Sequence, residues 1–295
     1  MGIKKVVVAG VGVLGSQIAY QTALHDYQVV AYNLQVESAK KRVESLRKDY
    51  VQDLGLSEQE FQKGLDNITY STDLSLAVKD ADLVIEALPE SLEIKEKFYR
   101  DLSDLAPEKT IFASNSSTMT ASQLIPFVDR PAKFINLHFA NRIWICNVAE
   151  IMGSAKTSPE VYQTVVDFAR SIGMVPIELH KEKAGYVLNS LLIPFLISSM
   201  DLWTQGIADP QTIDKDWMIS TGTPLGPFAM LDDIGLRTAY NIVSELAKVQ
   251  NNPSFTVIAN RLKEMIDKGK TGRESGEGFY TYPHPAFADS QFLQA

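Results

Sequence analysis

The fold of this chain is decided near its start, by the stretch Lys5-Val-Val-Val-Ala-Gly-Val-Gly-Val-Leu-Gly15. Its first five residues predict a buried strand, and the segment Ser16–Leu24 that follows predicts a helix with small apolar residues on one face. A glycine-rich turn between a strand and a helix is typical of a dinucleotide-binding unit. Gly10 permits the tight turn, Gly12 lets a pyrophosphate approach the backbone, and Gly15 lets the helix pack close to the strand.

Short apolar runs alternate with amphipathic segments through about residue 180, which is the pattern of a parallel sheet with crossover helices. After Gly185 the strand pattern stops and helical periodicity continues to about Lys268. We therefore expect an α/β fold, with a Rossmann-type, doubly wound, mostly parallel sheet followed by an all-α C-terminal domain. The best strand candidates are four to six residues long and rich in β-branched and aromatic side chains: Lys5–Ala9, Gln28–Tyr32, Leu83–Ala87, Thr110–Ser114 and Lys133–Leu137.

The charged segment between the second and third of these strands predicts a helical hairpin. It is interrupted at Leu54-Gly-Leu-Ser57, where Ser57 would cap the second helix and Glu60 would complete a capping box. The tail after Tyr282 has few apolar residues, so we expect it to be loosely held. The predicted domains are a dinucleotide-binding domain over residues 1–183, with the hairpin near 37–64, and a helical domain for substrate binding and dimerisation over 184–295.

Composition excludes several classes of protein. The 295 residues carry 28 basic against 36 acidic side chains, a net charge of -8, so we expect no general affinity for nucleic acid or anionic membranes. Cys146 is the only cysteine, so the chain has no internal disulfide and we expect no metal site. The start of the chain has no signal-type apolar region, and the apolar stretch Val187–Trp203 is interrupted by polar residues, which predicts a buried helix. A cytoplasmic protein fits these features best.

The residue after the second predicted strand bears on the choice of cofactor. Enzymes that use NAD usually place a carboxylate there to bind the ribose hydroxyls, whereas this chain has Asn33. An amide still accepts a hydrogen bond from a hydroxyl, and Leu34 and Gln35 supply no arginine for a 2′-phosphate, so NAD is favoured. The basic residues at 40–42 leave NADP open as an alternative.

The chain resembles the L-3-hydroxyacyl-CoA dehydrogenase family over nearly its whole length, and within that family its pattern is most similar to the diketoreductase branch. The resemblance implies an NAD-dependent enzyme that interconverts L-3-hydroxyacyl and 3-ketoacyl compounds. It rests on the order and spacing of several segments: the glycine loop, Ala81–Glu90 with Lys95, Ser114–Ser117, Leu137–Asn141, Glu150, Gly185–Asn189, Pro224–Phe228 and Gly276–Tyr280.

Oxidation of a secondary alcohol requires a base for the hydroxyl proton. Of the four histidines, His138 is best placed, because it follows a predicted strand at the edge of the sheet where ligands bind. Pattern alone favours a structural histidine over a catalytic one. The resemblance makes His138 the catalytic base and makes Glu150, twelve residues further on, the acid that orients its imidazole.

The remaining site residues follow from the resemblance. Ser117 and Asn189 would bind the substrate oxygen as its charge changes, although Ser117 also suits a helix cap and Asn189 a buried amide bonded to backbone. The predicted cofactor contacts are Gly10, Gly12, Val13, Leu14, Gly15, Asn33, Ala87, Glu90, Lys95 and Asn115, and the predicted substrate contacts are Ser117, Asn141, Arg142 and Asn189.

Two segments depart from the family pattern. The stretch Arg47–Asp53 lacks the lysines that commonly meet the phosphates of coenzyme A, and Arg142 and Trp144 replace a proline-rich turn. Both features are similar to the diketoreductase branch, so a keto ester or 3-hydroxy acid without a CoA group is an alternative substrate. A non-catalytic, crystallin-like NADH-binding protein is an alternative from another class. The resemblance and the apolar helix at Val187–Trp203 also predict a homodimer through the C-terminal domain.

Overall fold

The computed structural model describes residues 2–250 and 252–294. The chain divides into two compact units, of which the first ends at Val187 and the second begins at Leu188. The sequence pattern predicts the boundary between residues 183 and 184, at the end of the last strand-rich segment.

The first unit is built on one sheet of eight strands within the described residues. The spatial order is β3-β2-β1-β4-β5-β6-β7-β8, and every neighbouring pair is parallel except β6 and β7, which are antiparallel. This arrangement confirms the predicted doubly wound, mostly parallel sheet. The strands are β1 Lys5–Ala9, β2 Gln28–Tyr32, β3 Ile68–Ser71, β4 Leu83–Glu86, β5 Ile111–Ser114, β6 Phe134–Phe139, β7 Val148–Met152 and β8 Val175–Leu179.

All five predicted strands are present, and three further strands, β3, β7 and β8, have no counterpart in the prediction. β3 and β8 form the two edges of the sheet and are only partly buried, so their sequences lack a continuous apolar run. β7 is buried at four of its five positions, but Glu150 interrupts its apolar pattern. A charged residue inside a buried strand is rare unless it has a partner, so Glu150 calls for one.

Helices cover both faces of the sheet, and the predicted hairpin forms with an additional break in its first arm. Ser57 caps the second arm as predicted: its Oγ accepts from the Glu60 amide at 3.2 Å, while the Glu60 carboxylate accepts from the Ser57 amide at 2.9 Å. The helices of this unit are α1 Val13–Leu24, α2 Val36–Ser45, α3 Arg47–Leu54, α4 Glu58–Asp66, α5 Leu74–Val78, α6 Leu92–Leu105, α7 Ala121–Leu124 and α8 Pro159–Ser171.

The core of the first unit lies on the two faces of the sheet. Val6 and Val8 of β1 point into one apolar cluster and Val7 points into the other, and all three are fully buried. A central parallel strand covered on both faces carries an uninterrupted apolar sequence, which explains why β1 is so readily predicted. The carboxyl ends of the central parallel strands lie along one edge of the sheet, and packing on both faces holds these strands in place.

The second unit is helical, which confirms the predicted all-α C-terminal domain. Its tail packs through aromatic residues: Phe287 makes an edge contact with Tyr280 at 4.9 Å between ring centroids, and Phe292 packs against the same cluster. Most other residues of the tail are exposed, so its loose attachment stays a prediction. The helices are α9 Leu188–Thr204, α10 Pro210–Thr221, α11 Pro227–Ile234, α12 Leu236–Val249 and α13 Pro253–Asp267.

Among residues 2–250 and 252–294 we find no helix with the length and hydropathy needed to traverse a bilayer.

Two buried carboxylates organise the second unit. Asp214, which is fully buried, accepts from the amides of Phe228 and Ala229 at 2.8 and 2.9 Å and from the Tyr280 hydroxyl at 2.9 Å. Asp232 similarly accepts from the Tyr280 amide at 2.9 Å, so the two acids join α10, α11 and the C-terminal segment. Burial raises the pKa of the Asp214 carboxyl to about 6, although its three hydrogen bonds oppose that shift.

We predict that this raised pKa makes the stability of the protein depend on pH. A carboxyl whose pKa is raised in the folded state contributes stability below its ordinary pKa of 3.8 and loses it as the pH rises through about 6. The difference in unfolding free energy between wild type and Asp214→Asn should therefore fall by about 2 kcal/mol from pH 4 to pH 7, measured by denaturant unfolding.

The matched control is Asp209→Asn on the same helix. Hydrogen bonds from Thr212 lower the pKa of this exposed capping carboxyl, so its difference should change with pH in the opposite direction. A difference for Asp214→Asn that is independent of pH, or that grows toward pH 7, would contradict the prediction.

Candidate active site

The site is centred on a histidine and a glutamate that face each other across two strands. The antiparallel register of β6 and β7 pairs His138 directly with Glu150, and the two side chains meet with Nδ1 2.9 Å from Oε2. Both residues are buried, at 4% and 2% exposure. Because a carboxylate only accepts hydrogen bonds, Nδ1 carries the proton of the neutral ring and Nε2 keeps its lone pair.

Ser117 lies at the other ring nitrogen. It follows β5, and its Oγ is 3.0 Å from Nε2 of His138. The structure thus brings together three of the residues that the sequence predicts, in the order serine, histidine and glutamate. A neutral imidazole accepts from the Ser117 hydroxyl at the same nitrogen that would receive a proton from a substrate.

Glu90 holds the loop that carries Ser117. Its carboxylate accepts from the Ser116 hydroxyl, and from the amide and hydroxyl of Thr118 at 2.9 and 2.6 Å. Burial alone would raise the pKa of the Glu90 carboxyl, but these hydrogen bonds and the charge of Lys95 hold it below its ordinary value. Glu90 is therefore a carboxylate that fixes the position of the two residues flanking Ser117.

Lys95, a predicted cofactor contact, is buried at 1% exposure beneath this loop. Its Nζ lies 2.5 Å from a Glu86 carboxylate oxygen and 3.4 Å from Glu90. Glu86 is fully buried and also accepts from the hydroxyls of Tyr99 and Ser114 at 3.2 and 2.8 Å. Leaving either charge of a buried ion pair without its partner is strongly destabilising, so the Lys95–Glu86 pair holds its position beneath the loop.

The glycine loop fits a dinucleotide. Gly10 adopts a φ of +92°, and a Cβ there would lie 2.6 Å from the Ala87 carbonyl oxygen, while a Cβ at Gly15 would lie 1.9 Å from the Gly10 carbonyl oxygen. A Cβ at Gly12 would meet nothing within 4 Å. Within the described residues no side chain caps the N-terminus of α1. A helix N-terminus without a side-chain cap, preceded by an accessible backbone at Gly12, is suited to bind a pyrophosphate.

Other predicted cofactor contacts line the same edge of the sheet. Val13, in the first turn of α1, is 59% exposed, whereas Leu14 and Ala87 pack partly against the core. The Asn115 side chain accepts from the Phe139 amide at 2.9 Å, which links the end of β5 to the end of β6.

Asn33 is bonded to the chain itself. Its Oδ1 accepts from the Val11 amide at 3.2 Å, and its Nδ2 donates to the Gln35 carbonyl at 3.0 Å. The amide therefore braces the glycine loop from the end of β2. Of the basic residues that leave NADP open in the sequence, Lys40 pairs with Glu37 at 3.0 Å on the same helix.

The connection between β6 and β7 is anchored to two helices. Gln17 of α1 donates to Asn141 Oδ1 at 2.7 Å and accepts from the Arg142 amide at 2.9 Å. Asp53, at the end of α3, accepts from the Trp144 indole at 2.8 Å and lies 3.3 Å from the Arg142 guanidinium. Arg142 thus pairs with a carboxylate of this chain, at a φ of +60°.

Several residues of the site were not singled out from the sequence. Glu86 and Tyr186 stand inside quoted motifs, but only the structure shows that Glu86 binds Lys95 and that the Tyr186 ring stacks on His138. Asp53 and Gln17 carry no local signal, since their partners are distant in sequence. Asn189 lies in the first turn of α9, in the second unit, and its role stays a prediction.

In the part of the chain that the structure describes, no group of three or more His, Cys, Asp or Glu side chains could hold a metal ion.

Family models and known proteins match most of the chain. Residues 5–183 match the family model "3-hydroxyacyl-CoA dehydrogenase, NAD binding domain", and residues 185–282 match "3-hydroxyacyl-CoA dehydrogenase, C-terminal domain". The mitochondrial hydroxyacyl-coenzyme A dehydrogenase of Homo sapiens is 32% identical over 95% of this chain and 91% of its own length. A probable 3-hydroxybutyryl-CoA dehydrogenase of Bacillus subtilis is 30% identical over 96% of this chain and 98% of its own length.

A solved diketoreductase structure, described as acting on dicarbonyl compounds, is 56% identical with a TM-score of 0.90, over 96% of this chain and 100% of that one. Both family models together span nearly the whole chain, in the order of its two units. The chain therefore belongs to the 3-hydroxyacyl-CoA dehydrogenase family and is an NAD-dependent oxidoreductase that acts on the CH–OH group of its substrate.

Proposed function

We propose that this enzyme interconverts L-3-hydroxy and 3-keto compounds with His138 as the acid–base group. The observation that carries the proposal is the chain of contacts from Glu150 through both nitrogens of His138 to Ser117, at 2.9 and 3.0 Å. One ring nitrogen is committed to a carboxylate, and the other is free to exchange a proton with a substrate hydroxyl once Ser117 shifts its hydrogen bond.

Glu150 has two tasks in this proposal. Its hydrogen bond to Nδ1 fixes the tautomer of the neutral ring, and its negative charge stabilises the imidazolium that forms when Nε2 takes the hydroxyl proton. The carboxylate is itself held by the backbone amide of Val187, which donates to Oε1 at 2.9 Å. In the reverse direction the same imidazolium returns its proton to the oxygen of the ketone.

The remaining polar residues bind the substrate or the cofactor. We propose that Ser117 and Asn189 donate hydrogen bonds to the substrate oxygen, where negative charge develops during reduction. Asn115, at the end of β5, is proposed to contact the nicotinamide, and Glu90 and Lys95 to support the loop beside it. NAD⁺, when bound, accepts the hydride from the carbinol carbon.

CoA thioesters are our first proposal for the substrate, because the relatives of Homo sapiens and Bacillus subtilis are named for such substrates. A specific contact favours a second candidate, a 3-keto ester or acid without CoA. In the family, lysines near the end of the first hairpin helix meet the phosphates of CoA, whereas here Asp53 occupies that region and binds Arg142 and Trp144. The 56% identity to a diketoreductase supports the same candidate.

We also propose a homodimer that forms through the second unit, in the cytoplasm. Leu191, Ile207 and Ile219 of that unit are 69%, 67% and 56% exposed, and contact with a second copy of the chain would remove them from water. A single, exposed cysteine is compatible with a reducing compartment.

The first prediction tests the catalytic base. His138→Ala should lower kcat/KM for both directions by about a hundredfold or more, while NADH binding measured by fluorescence changes little, because the imidazole moves only the substrate proton. Wild type should consume NADH with acetoacetyl-CoA or ethyl acetoacetate. Full turnover in the variant would show that the base lies elsewhere, and an inert wild type over a panel of 3-keto compounds would favour the non-catalytic, NADH-binding alternative.

The second prediction separates the two substrate candidates. Asp53→Lys places a cation where CoA enzymes of the family carry one, so kcat/KM for acetoacetyl-CoA relative to ethyl acetoacetate should rise by about tenfold. The matched control, Asp53→Asn, removes the charge but keeps an acceptor for the Trp144 indole. If the ratio is the same in all three proteins, CoA phosphates do not reach the end of the hairpin.

The third prediction concerns the cofactor. Asn33→Asp keeps an acceptor for the Val11 amide and adds a charge that strengthens hydrogen bonds from ribose hydroxyls, so the NAD to NADP ratio of kcat/KM should rise about fivefold. Leu34→Asp, one residue beyond the bracing amide, is the control for a general effect of negative charge. An unchanged or reversed ratio in Asn33→Asp would remove Asn33 from the ribose site.

A further inference from the structure

One short segment, Gly185–Val187, contacts every member of the proposed Ser–His–Glu chain. The Gly185 amide donates to the Ser117 carbonyl at 3.1 Å, and the Val187 amide donates to the Glu150 carboxylate at 2.9 Å. Between them, the ring of Tyr186 lies flat on the imidazole of His138, with centroids 4.4 Å apart and planes inclined by 10°. Two of these contacts are made by backbone amides and the third by the ring of Tyr186.

The backbone of this segment is held in an unfavourable conformation. Gly185 and Tyr186 have φ angles of +83° and +50°, which place two successive residues in the left-handed region. Glycine adopts this region freely, but a bulky side chain such as tyrosine rarely does. Such a conformation persists only where surrounding contacts enforce it, and residues of this kind cluster at functional sites.

The hydroxyl of Tyr186 is hydrogen-bonded to the backbone. It donates to the Ser116 carbonyl at 2.8 Å, and the side chain is 1% exposed. Burial raises the pKa of this hydroxyl far above its ordinary value, so it stays protonated. Tyr186 is thus no proton donor in the reaction, and the group it offers to His138 is the face of its ring.

We infer that Tyr186 is a positioning residue that sets the plane of the His138 ring and stabilises its protonated form. The proposal rests on the proposed role of His138 as the acid–base group. The face of an aromatic ring carries partial negative charge, so a stacked imidazole gains stabilisation when it becomes an imidazolium. Because the ring has no net charge, it does this without competing with Glu150 for the Nδ1 proton.

The charged and titratable groups around the pair come from several elements. Glu150 on β7 faces Nδ1, the Ser117 hydroxyl after β5 faces Nε2, and Tyr186 covers the ring. Glu86 and Glu90 act on the Tyr186 hydroxyl from further away, and Lys95 pairs with both of these acids. The ring of Tyr186 can be altered without changing a charge and without removing a hydrogen bond to His138.

The test is the pH profile of kcat/KM in both directions for Tyr186→Leu and Tyr186→Phe. Oxidation needs the neutral imidazole and reduction needs the imidazolium, so loss of the ring should move the midpoint of both profiles to lower pH, by about 0.5 unit or more. Tyr186→Phe keeps the ring and should keep the wild-type midpoint. We expect kcat to fall at least tenfold in Tyr186→Leu, with little change in the affinity for NADH.

Replacement of Tyr186 by pentafluorophenylalanine tests the same claim if Tyr186→Leu fails to fold. It has nearly the size of phenylalanine but a ring face of opposite polarity, so the midpoint should fall as it does in Tyr186→Leu. A midpoint equal to that of wild type in both ring-altered variants, or one that moves to higher pH, overturns the inference. Failure of the proposed function can be told apart from failure of this inference. It would show as full turnover in His138→Ala, whether or not Tyr186 is also replaced.

Discussion

The antiparallel pairing of β6 and β7 is the constraint on which the site depends. Every other pair of neighbouring strands in the described sheet is parallel, and this single reversal sets His138 directly opposite Glu150. Side chains that face each other across an antiparallel pair stay within contact distance, so the 2.9 Å hydrogen bond follows from the register. A buried carboxylate is destabilised unless a partner donates a hydrogen bond to it, and His138 is such a partner for Glu150.

Around this pair, buried polar groups hold the loop that carries Ser117 in place. Glu86 and Lys95 form a closed ion pair under the loop that carries Ser117, and Glu90 binds the loop from the side. At the end of the first unit, the segment Gly185–Val187 donates backbone hydrogen bonds to Ser117 and Glu150. Such networks are rigid when all their members are bonded, and rigidity is what a proton transfer over hydrogen-bond distance requires. The strand pairing and the buried Lys95–Glu86 ion pair together therefore position the residues of the site.

The sequence predicts those parts of the molecule whose causes are local. The valines of β1 and the capping box at Ser57 are examples, since each depends on residues within a few positions. The sequence does not predict β7, because Glu150 breaks its apolar pattern. The burial of Lys95 against Glu86 and the stacking of Tyr186 on His138 depend on the folded chain, so no pattern of spacing contains them.

The connection between β6 and β7 carries one further consequence. It spans residues 140–147, and its side chains bind Gln17 and Asp53, whereas His138 and Glu150 lie inside the flanking strands. Replacing those side chains removes contacts to α1 and α3 but none of the backbone hydrogen bonds that pair β6 with β7. The side chains of this connection can thus vary while the register that sets His138 against Glu150 is kept.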